Sequence, residues 1–177
     1  MSQNRKVVLY IAMSLDGYIA KTNDDISFLD KIQKAGEDYG YGEFISTIDT
    51  VIIGRKTYDK VLSMGYGFPH NDKDTYIITR TPREQIGTVK FYTGNLTELV
   101  TRLKNQEGKN IFCDGGAEIA HELMKENLVE EFYISIIPVF LGEGIRLFKD
   151  GRPEQNLKLV STQLFDTGLV QLHYQVE

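Results

Sequence analysis

The order of apolar runs along this chain predicts an α/β fold, with a mostly parallel sheet covered on both faces by helices and an antiparallel hairpin at its C-terminal edge. Three observations predict it. β-branched and aromatic runs alternate with helical patterns, glycines stand where strands give way to helices, and Asp166-Thr167-Gly168 joins the last two runs as a tight turn. Alternation of this kind requires right-handed crossovers, which set helices against the sheet faces.

Strands are expected at residues 7–12, 50–54, 75–79, 89–92, 110–114, 131–137, 158–165 and 169–176. Helices are expected at residues 38–48, 56–63, 96–106 and 117–126, the third opened by Asn95 with Glu98 three residues on, the spacing of a capping box. No repeat, linker or low-complexity tract divides the chain. Its 177 residues, 41% hydrophobic, fit one domain spanning 1–177. A net charge of −5 with scattered Lys and Arg argues against nucleic acid and for a small soluble substrate. The apolar run at residues 7–13 is too short to cross a membrane and has no small-residue cleavage site behind it, so a cytoplasmic protein is expected. Cys113 is the sole cysteine and sits in an apolar strand, which excludes an internal disulfide and suggests a buried hydrophobe without chemistry. His70, His121 and His173 lie far apart in sequence and are expected in surface or core positions, so no metal site is predicted.

The candidate chemistry sits at strand ends, where open α/β sheets bind their ligands. Residues 111–119 read Ile-Phe-Cys-Asp-Gly-Gly-Ala-Glu-Ile, a strand entering paired glycines and opening onto a helix. Gly115 and Gly116 permit positive φ and close approach, so backbone N–H groups and the helix N-terminus could receive a phosphate, although many strand-to-helix turns hold glycine for steric reasons alone. A second turn places Gly54, Arg55, Lys56 and Thr57 at a strand end; the two cations suit a phosphate and equally suit a solvated helix start. A third delivers Thr79 and Arg80, and an arginine there is what a 2′-phosphate requires. The first strand ends in Ser14-Leu15-Asp16-Gly17, where Asp16 reads either as a turn former or as a catalytic acid.

Taken together, residues 12–20, Gly54-Arg55-Lys56-Thr57-Tyr58, Gly115-Gly116-Ala117, Leu128-Val129-Glu130-Glu131-Phe132 and residues 138–144 resemble the dihydrofolate reductase superfamily. The resemblance is closest to the reductase of riboflavin biosynthesis, the C-terminal part of the bifunctional deaminase-reductase. It implies a three-layer α/β/α fold and an NADPH-dependent oxidoreductase, a homodimer in that branch, whose substrate is a small heterocycle such as 5-amino-6-(5-phosphoribosylamino)uracil. It places Ala12 and Ile19 beside the nicotinamide, Gly54, Arg55, Lys56, Thr57, Thr79 and Arg80 on the phosphates, and Gly115, Gly116, Ala117, Glu118 and Ile119 over the pyrophosphate. The apolar run at residues 136–141 is a further, weaker reason to expect a dimer.

Departures bear on the substrate. Folate-reducing members carry a Pro-Trp dipeptide ahead of the substrate helix, whereas this chain has no tryptophan; their tyrosine one turn past the glycines is Ala120 here. Asp38 falls where the family's acid stands, and reads equally as a proton donor and as a helix-start residue. Ser14, Tyr41 and Phe44 are candidates to line the substrate pocket, with core packing the rival reading for the aromatic pair. One cysteine and three histidines cannot build the deaminase zinc site. The alternatives are a dihydrofolate reductase with an atypical pocket and a nucleotide-binding protein without turnover.

Overall fold

A computed structural model describes residues 5–177; the first four residues, part of the stretch read for a leader, lie outside the described residues. Eight strands form one sheet in the order β5-β4-β3-β6-β1-β7-β10-β9. These are β1 (Val7–Ser14), β3 (Ile48–Gly54), β4 (Asp74–Ile78), β5 (Val89–Tyr92), β6 (Asn110–Cys113), β7 (Glu131–Ile137), β9 (Leu157–Leu164) and β10 (Val170–Val176). Pairing is parallel from β5 through β7 and antiparallel at β7–β10–β9, with the last two joined by the expected hairpin.

Side-chain alternation divides the core between two faces. Val7 and Leu9 of β1, Ile52 of β3 and Ile111 and Cys113 of β6 point to one face, beneath helices α3 (Leu96–Lys104) and α4 (Ala117–Lys125). Val8, Val51 and Phe112 point to the other, beneath α1 (Tyr41–Ser46), and Ile53 and Ile77 lie beneath α2 (Arg55–Ser63) on the same side. The result is the three-layer, dihydrofolate-reductase-like arrangement. Parity in a strand fixes the face, so position 114 must share Phe112's face, under α1 and α2.

Two differences from expectation matter. The helix expected over residues 38–48 is only Tyr41–Ser46: Gly40 precedes it at φ +80°, Asp38 caps it from outside, and Ile48 starts β3. A two-stranded sheet of β2 (Tyr18–Ala20) and β8 (Ile145–Arg146) was not expected, being too short for any periodicity to show. Asn95 caps α3 as expected, its side chain accepting from the Glu98 N–H at 3.0 Å.

Candidate active site at the carboxyl ends of the sheet

Because β3, β6 and β1 are neighbours, the turns that follow them meet. The Gly54 N–H donates to the Gly115 carbonyl at 2.9 Å, and the Gly116 N–H donates to the Thr57 hydroxyl in the first turn of α2 at 3.0 Å. Gly115 takes φ +94°, while Gly116 lies at φ −5°, so only the first glycine of the pair uses the left-handed freedom read for both. The second is needed for space: a Cβ on Gly116 would lie 2.9 Å from the Thr57 hydroxyl. The turn delivers the chain into α4 at Ala117, where the first N–H groups have no partner within the helix and its positive dipole end favours an anion.

The side chains around this cradle differ in availability. Arg55 is held along α2 by Asp59, 2.8 Å away, with Arg83 3.5 Å from the same carboxylate. Lys56 and Arg80 are exposed. Thr79 is buried, and its hydroxyl accepts the Thr81 N–H at 3.1 Å, which fixes the turn that carries Arg80. Glu118 pairs with Lys149, which holds its carboxyl below the usual range, so only its backbone faces the cradle. Ile119 touches the position a Gly54 Cβ would fill.

At the end of β1 the sequence offered Ser14 and Asp16, and the structure spends both on loop order. The buried Ser14 hydroxyl donates to Asp16 and accepts the Tyr18 N–H at 2.9 Å. Asp16 also accepts the N–H groups of Leu141 (3.1 Å) and Gly142 (2.7 Å). Desolvation would raise its carboxyl, but these hydrogen bonds, led by Ser14, outweigh it and bring the value down to about 2. The pair therefore ties the loop after β7 to β1 rather than presenting an acid to a ligand. Ala12 packs with Phe28, Ile137 and Leu169, whereas Ile19 packs into the core on the opposite side of the sheet.

On the α1 face, Asp38 is exposed and turned to the helix start, accepting from the N–H groups of Gly40 (2.9 Å) and Gly42 (3.0 Å), which hold its carboxyl low. Phe44 is buried against Val8, Val51 and Phe112, a core position. Tyr41 is half-buried; burial raises its phenol, and the charge of Asp114 adds to the rise. Sequence reasoning missed a pairing here, between Asp114, which it did not single out, and His70, which it expected at the surface or in the core. His70 is only 2% exposed, its Nε2 lies 2.9 Å from Asp114 Oδ2, and its ring stands edge-on between Phe68 and Phe112 at 5.3 and 5.8 Å. The signal for Asp114 was available, since it directly precedes the glycine pair. His70 had none, lying in a Gly- and Pro-rich loop without periodicity.

His173 stacks on Tyr133 at 3.9 Å and pairs with Glu131, while His121 sits on α4. Burial pushes the Cys113 thiol up to about 12, consistent with a hydrophobe. Among the described residues no cluster of His, Cys, Asp or Glu could hold a metal ion.

Comparison with known proteins agrees with this arrangement. The family model of the RibD C-terminal domain matches residues 5–171. The uncharacterized protein YwjB of Bacillus subtilis (strain 168) is 45% identical over 171 residues, 96% of this chain and 97% of its own. A protein of Shewanella sp. PV-4 assigned to riboflavin biosynthesis superposes with a TM-score of 0.88 at 25% identity, covering 100% of this chain and 99% of that one. The diaminohydroxyphosphoribosylaminopyrimidine deaminase/5-amino-6-(5-phosphoribosylamino)uracil reductase of Thermotoga maritima superposes at 0.73 and 16% identity, covering 98% of this chain and 57% of that one. Dihydrofolate reductase shares the fold. The chain belongs to the RibD C-terminal domain family, in the riboflavin-biosynthesis branch of the dihydrofolate-reductase-like superfamily.

Proposed function

We propose that residues 1–177 form a single cytoplasmic reductase domain that binds NADPH and reduces a small heterocyclic, ribosylaminopyrimidine-like substrate. The observation that carries this reading is the cradle at the ends of β3 and β6, where Thr57 fixes the Gly116 amide and a Cβ would fill the gap between them. The backbone N–H groups of Ala117, Glu118 and Ile119 in the first turn of α4 would hold the pyrophosphate, and Arg80, with Lys56 and Arg55, would hold the 2′-phosphate. Bound NADPH supplies hydride from its nicotinamide C4. The chain's own contribution is alignment: the Ser14–Asp16 tie fixes the loop over β1, and the α1 face offers the substrate a half-buried phenol at Tyr41. No helix among the described residues is long and apolar enough to cross a membrane.

The ranking over dihydrofolate rests on Asp38, whose carboxylate is engaged by the amides of its own helix start, and on Ala120, which α4 buries in the core. A homodimer has better support than the run at residues 136–141 gave it. Ile137, Val139 and Leu141 pack inside, leaving Phe140 exposed. Instead, edge strand β9 pairs Leu157, Leu159 and Leu164 with Val176, Tyr174 and Val170, so all three leucines lie on one sheet face, each 41–80% exposed. An edge strand with an apolar, uncovered face fits a second copy of the chain.

The test is calorimetric titration of NADPH, followed by cofactor oxidation with a panel of ribosylaminopyrimidines and dihydrofolate. Micromolar NADPH binding with turnover of a ribosylaminopyrimidine is expected. Absence of NADPH binding at millimolar cofactor would refute the reading, and binding without turnover of any panel member would favour a nucleotide-binding protein.

A further inference from the structure

A row of polar side chains crosses the sheet on the face that carries Tyr41. Parity puts Tyr10 and Ala12 on Val8's face, under α1, and the ladder sets Ala12 opposite Ser135 of β7 and Ser135 opposite Gln171 of β10. Gln171 and Ser135 are 6% and 4% exposed, at strand positions where an apolar residue would be buried at lower cost. The Gln171 Nε2 lies 3.0 Å from the Tyr10 hydroxyl, 3.1 Å from the Ser135 hydroxyl and 3.3 Å from the Tyr39 carbonyl. Those partners decide which end of the amide faces inward. The Tyr39 carbonyl can only accept, and the Tyr10 hydroxyl donates its proton to that same carbonyl at 3.0 Å, so both require the NH2 end. Tyr39 is held at φ +56°, rare for an aromatic residue, with its hydroxyl bonded to the Ile32 carbonyl and 3.1 Å from that of Thr167, which keeps its carbonyl on the row. The Gln171 Oε1 is left over. Among the described residues it receives no hydrogen bond, and it is not sealed from solvent. A buried amide with its donors fixed and its acceptor unmet, beside a Tyr10 ring 5.6 Å from that of Tyr41, is arranged for a ligand N–H.

We propose that Gln171 is a substrate-recognition residue, that Tyr10 and Tyr39 are its positioning residues, and that its Oε1 accepts a hydrogen bond from a ring N–H of an uncharged heterocycle of the lactam or imide type. An amide oxygen whose nitrogen is fixed cannot turn to offer a donor, so it selects a ring N–H over a bare or alkylated ring nitrogen at that edge. The proposal rests on the reductase reading, which sets the substrate on the α1 face with Tyr41, and deepens it by naming the edge by which that substrate is held.

The probe is 5,6-diaminouracil, titrated by calorimetry into the full chain with and without saturating NADP⁺, against 5,6-diamino-1,3-dimethyluracil, whose ring nitrogens carry no proton. Millimolar or tighter binding of the first is expected, with the second at least about tenfold weaker. Gln171→Met keeps the length of the side chain and removes the acceptor; it should weaken the first probe at least about fivefold and leave the second probe and NADPH as they were. Tyr10→Phe unfastens the amide and should narrow the discrimination between the two probes, whereas a merely structural loss would weaken both alike. If Gln171→Met fails to fold, the wild-type ¹³C resonance of the Gln171 side-chain carbonyl serves instead, and should move with the first probe and not with the second. No binding of the first probe to the wild type, equal affinities for the two probes, unchanged discrimination in Gln171→Met, or an unmoved Gln171 resonance would each overturn the proposal. NADPH oxidation with a ribosylaminopyrimidine alongside equal probe affinities would remove this proposal and leave the reductase reading. Absence of NADPH binding with Gln171-dependent discrimination would remove the reductase reading and leave this one standing.

Discussion

The contact between Thr57 and Gly116 can be tested by a double-mutant cycle whose terms follow from the geometry. Thr57→Ala removes the acceptor of the Gly116 N–H and leaves a half-buried amide unmet, at a cost of about 1–2 kcal/mol. Gly116→Ala keeps that acceptor but sets a methyl 2.9 Å from it, a collision the hydroxyl must yield to, costing roughly 1–3 kcal/mol. In the double variant the methyl occupies the space the hydroxyl left. The collision disappears while the unmet amide remains, so the pair should cost about as much as Thr57→Ala alone and show favourable coupling of about 1 kcal/mol or more. Urea denaturation reads the stability terms, and calorimetry with NADPH reads function on the same proteins. Each variant should also weaken NADPH, because each shifts the turn that sets the N-terminus of α4. Costs that add within about 0.5 kcal/mol would show that the two residues do not share this contact. Unchanged NADPH affinity in a destabilised Gly116→Ala variant would show that the turn is structural only.

Other outcomes follow from the same geometry. Arg80→Ala should weaken NADPH at least about tenfold more than NADH, since a charge-assisted bond to the 2′-phosphate is lost from one cofactor only; equal losses by calorimetry would refute the assignment. The Asp16 carboxyl is lowered from 3.8 to about 2 in the fold, so its contribution is fully present above about pH 4 and fades as pH falls through 2. The stability gap between wild type and Asp16→Asn should therefore close over that window in acid denaturation, and a gap independent of pH would contradict the tie to Leu141 and Gly142. Leu159→Glu and Leu164→Glu should yield monomers by light scattering with the fold retained, while an unaltered mass would place the dimer contact elsewhere. Arg5 is 3% exposed and donates to the carbonyls of Lys109 and Leu103, to Thr50 and to Asp49; Arg5→Met should cost about 3–5 kcal/mol by denaturant titration, and a loss below 1 kcal/mol would refute its anchoring role.

Much of the fold was legible because its signals are local. The strands show as apolar runs, and each turn between a strand and a helix carries its own glycine. The cap on α3 is written in Asn95 and Glu98. What sequence misjudged were ends and short pieces. The helix over residues 38–48 looked longer at its start because Asp38 suits both a first turn and a cap outside it; the αL conformation of Gly40 decides between them. Strands β2 and β8 are three and two residues long, below the length at which alternation can register.

The candidate site divides along the same physical line. Its cofactor half is built from backbone, and a backbone that must turn sharply or admit a close neighbour demands glycine at a fixed place, so Gly54, Gly115 and Gly116 announce themselves in the sequence. The pairing of Asp114 with His70 is built from side chains that meet only after folding. Asp114 and His70 are 44 positions apart, and neither residue type is unusual where it stands. A buried histidine beside a carboxylate that is one-quarter exposed becomes visible only once strand parity has set Asp114 on the α1 face and the loop before β4 has laid His70 over Phe112. Strand parity counted forward from Phe112 is nonetheless a property of the sequence, and it sets Asp114 on the same face as Phe112.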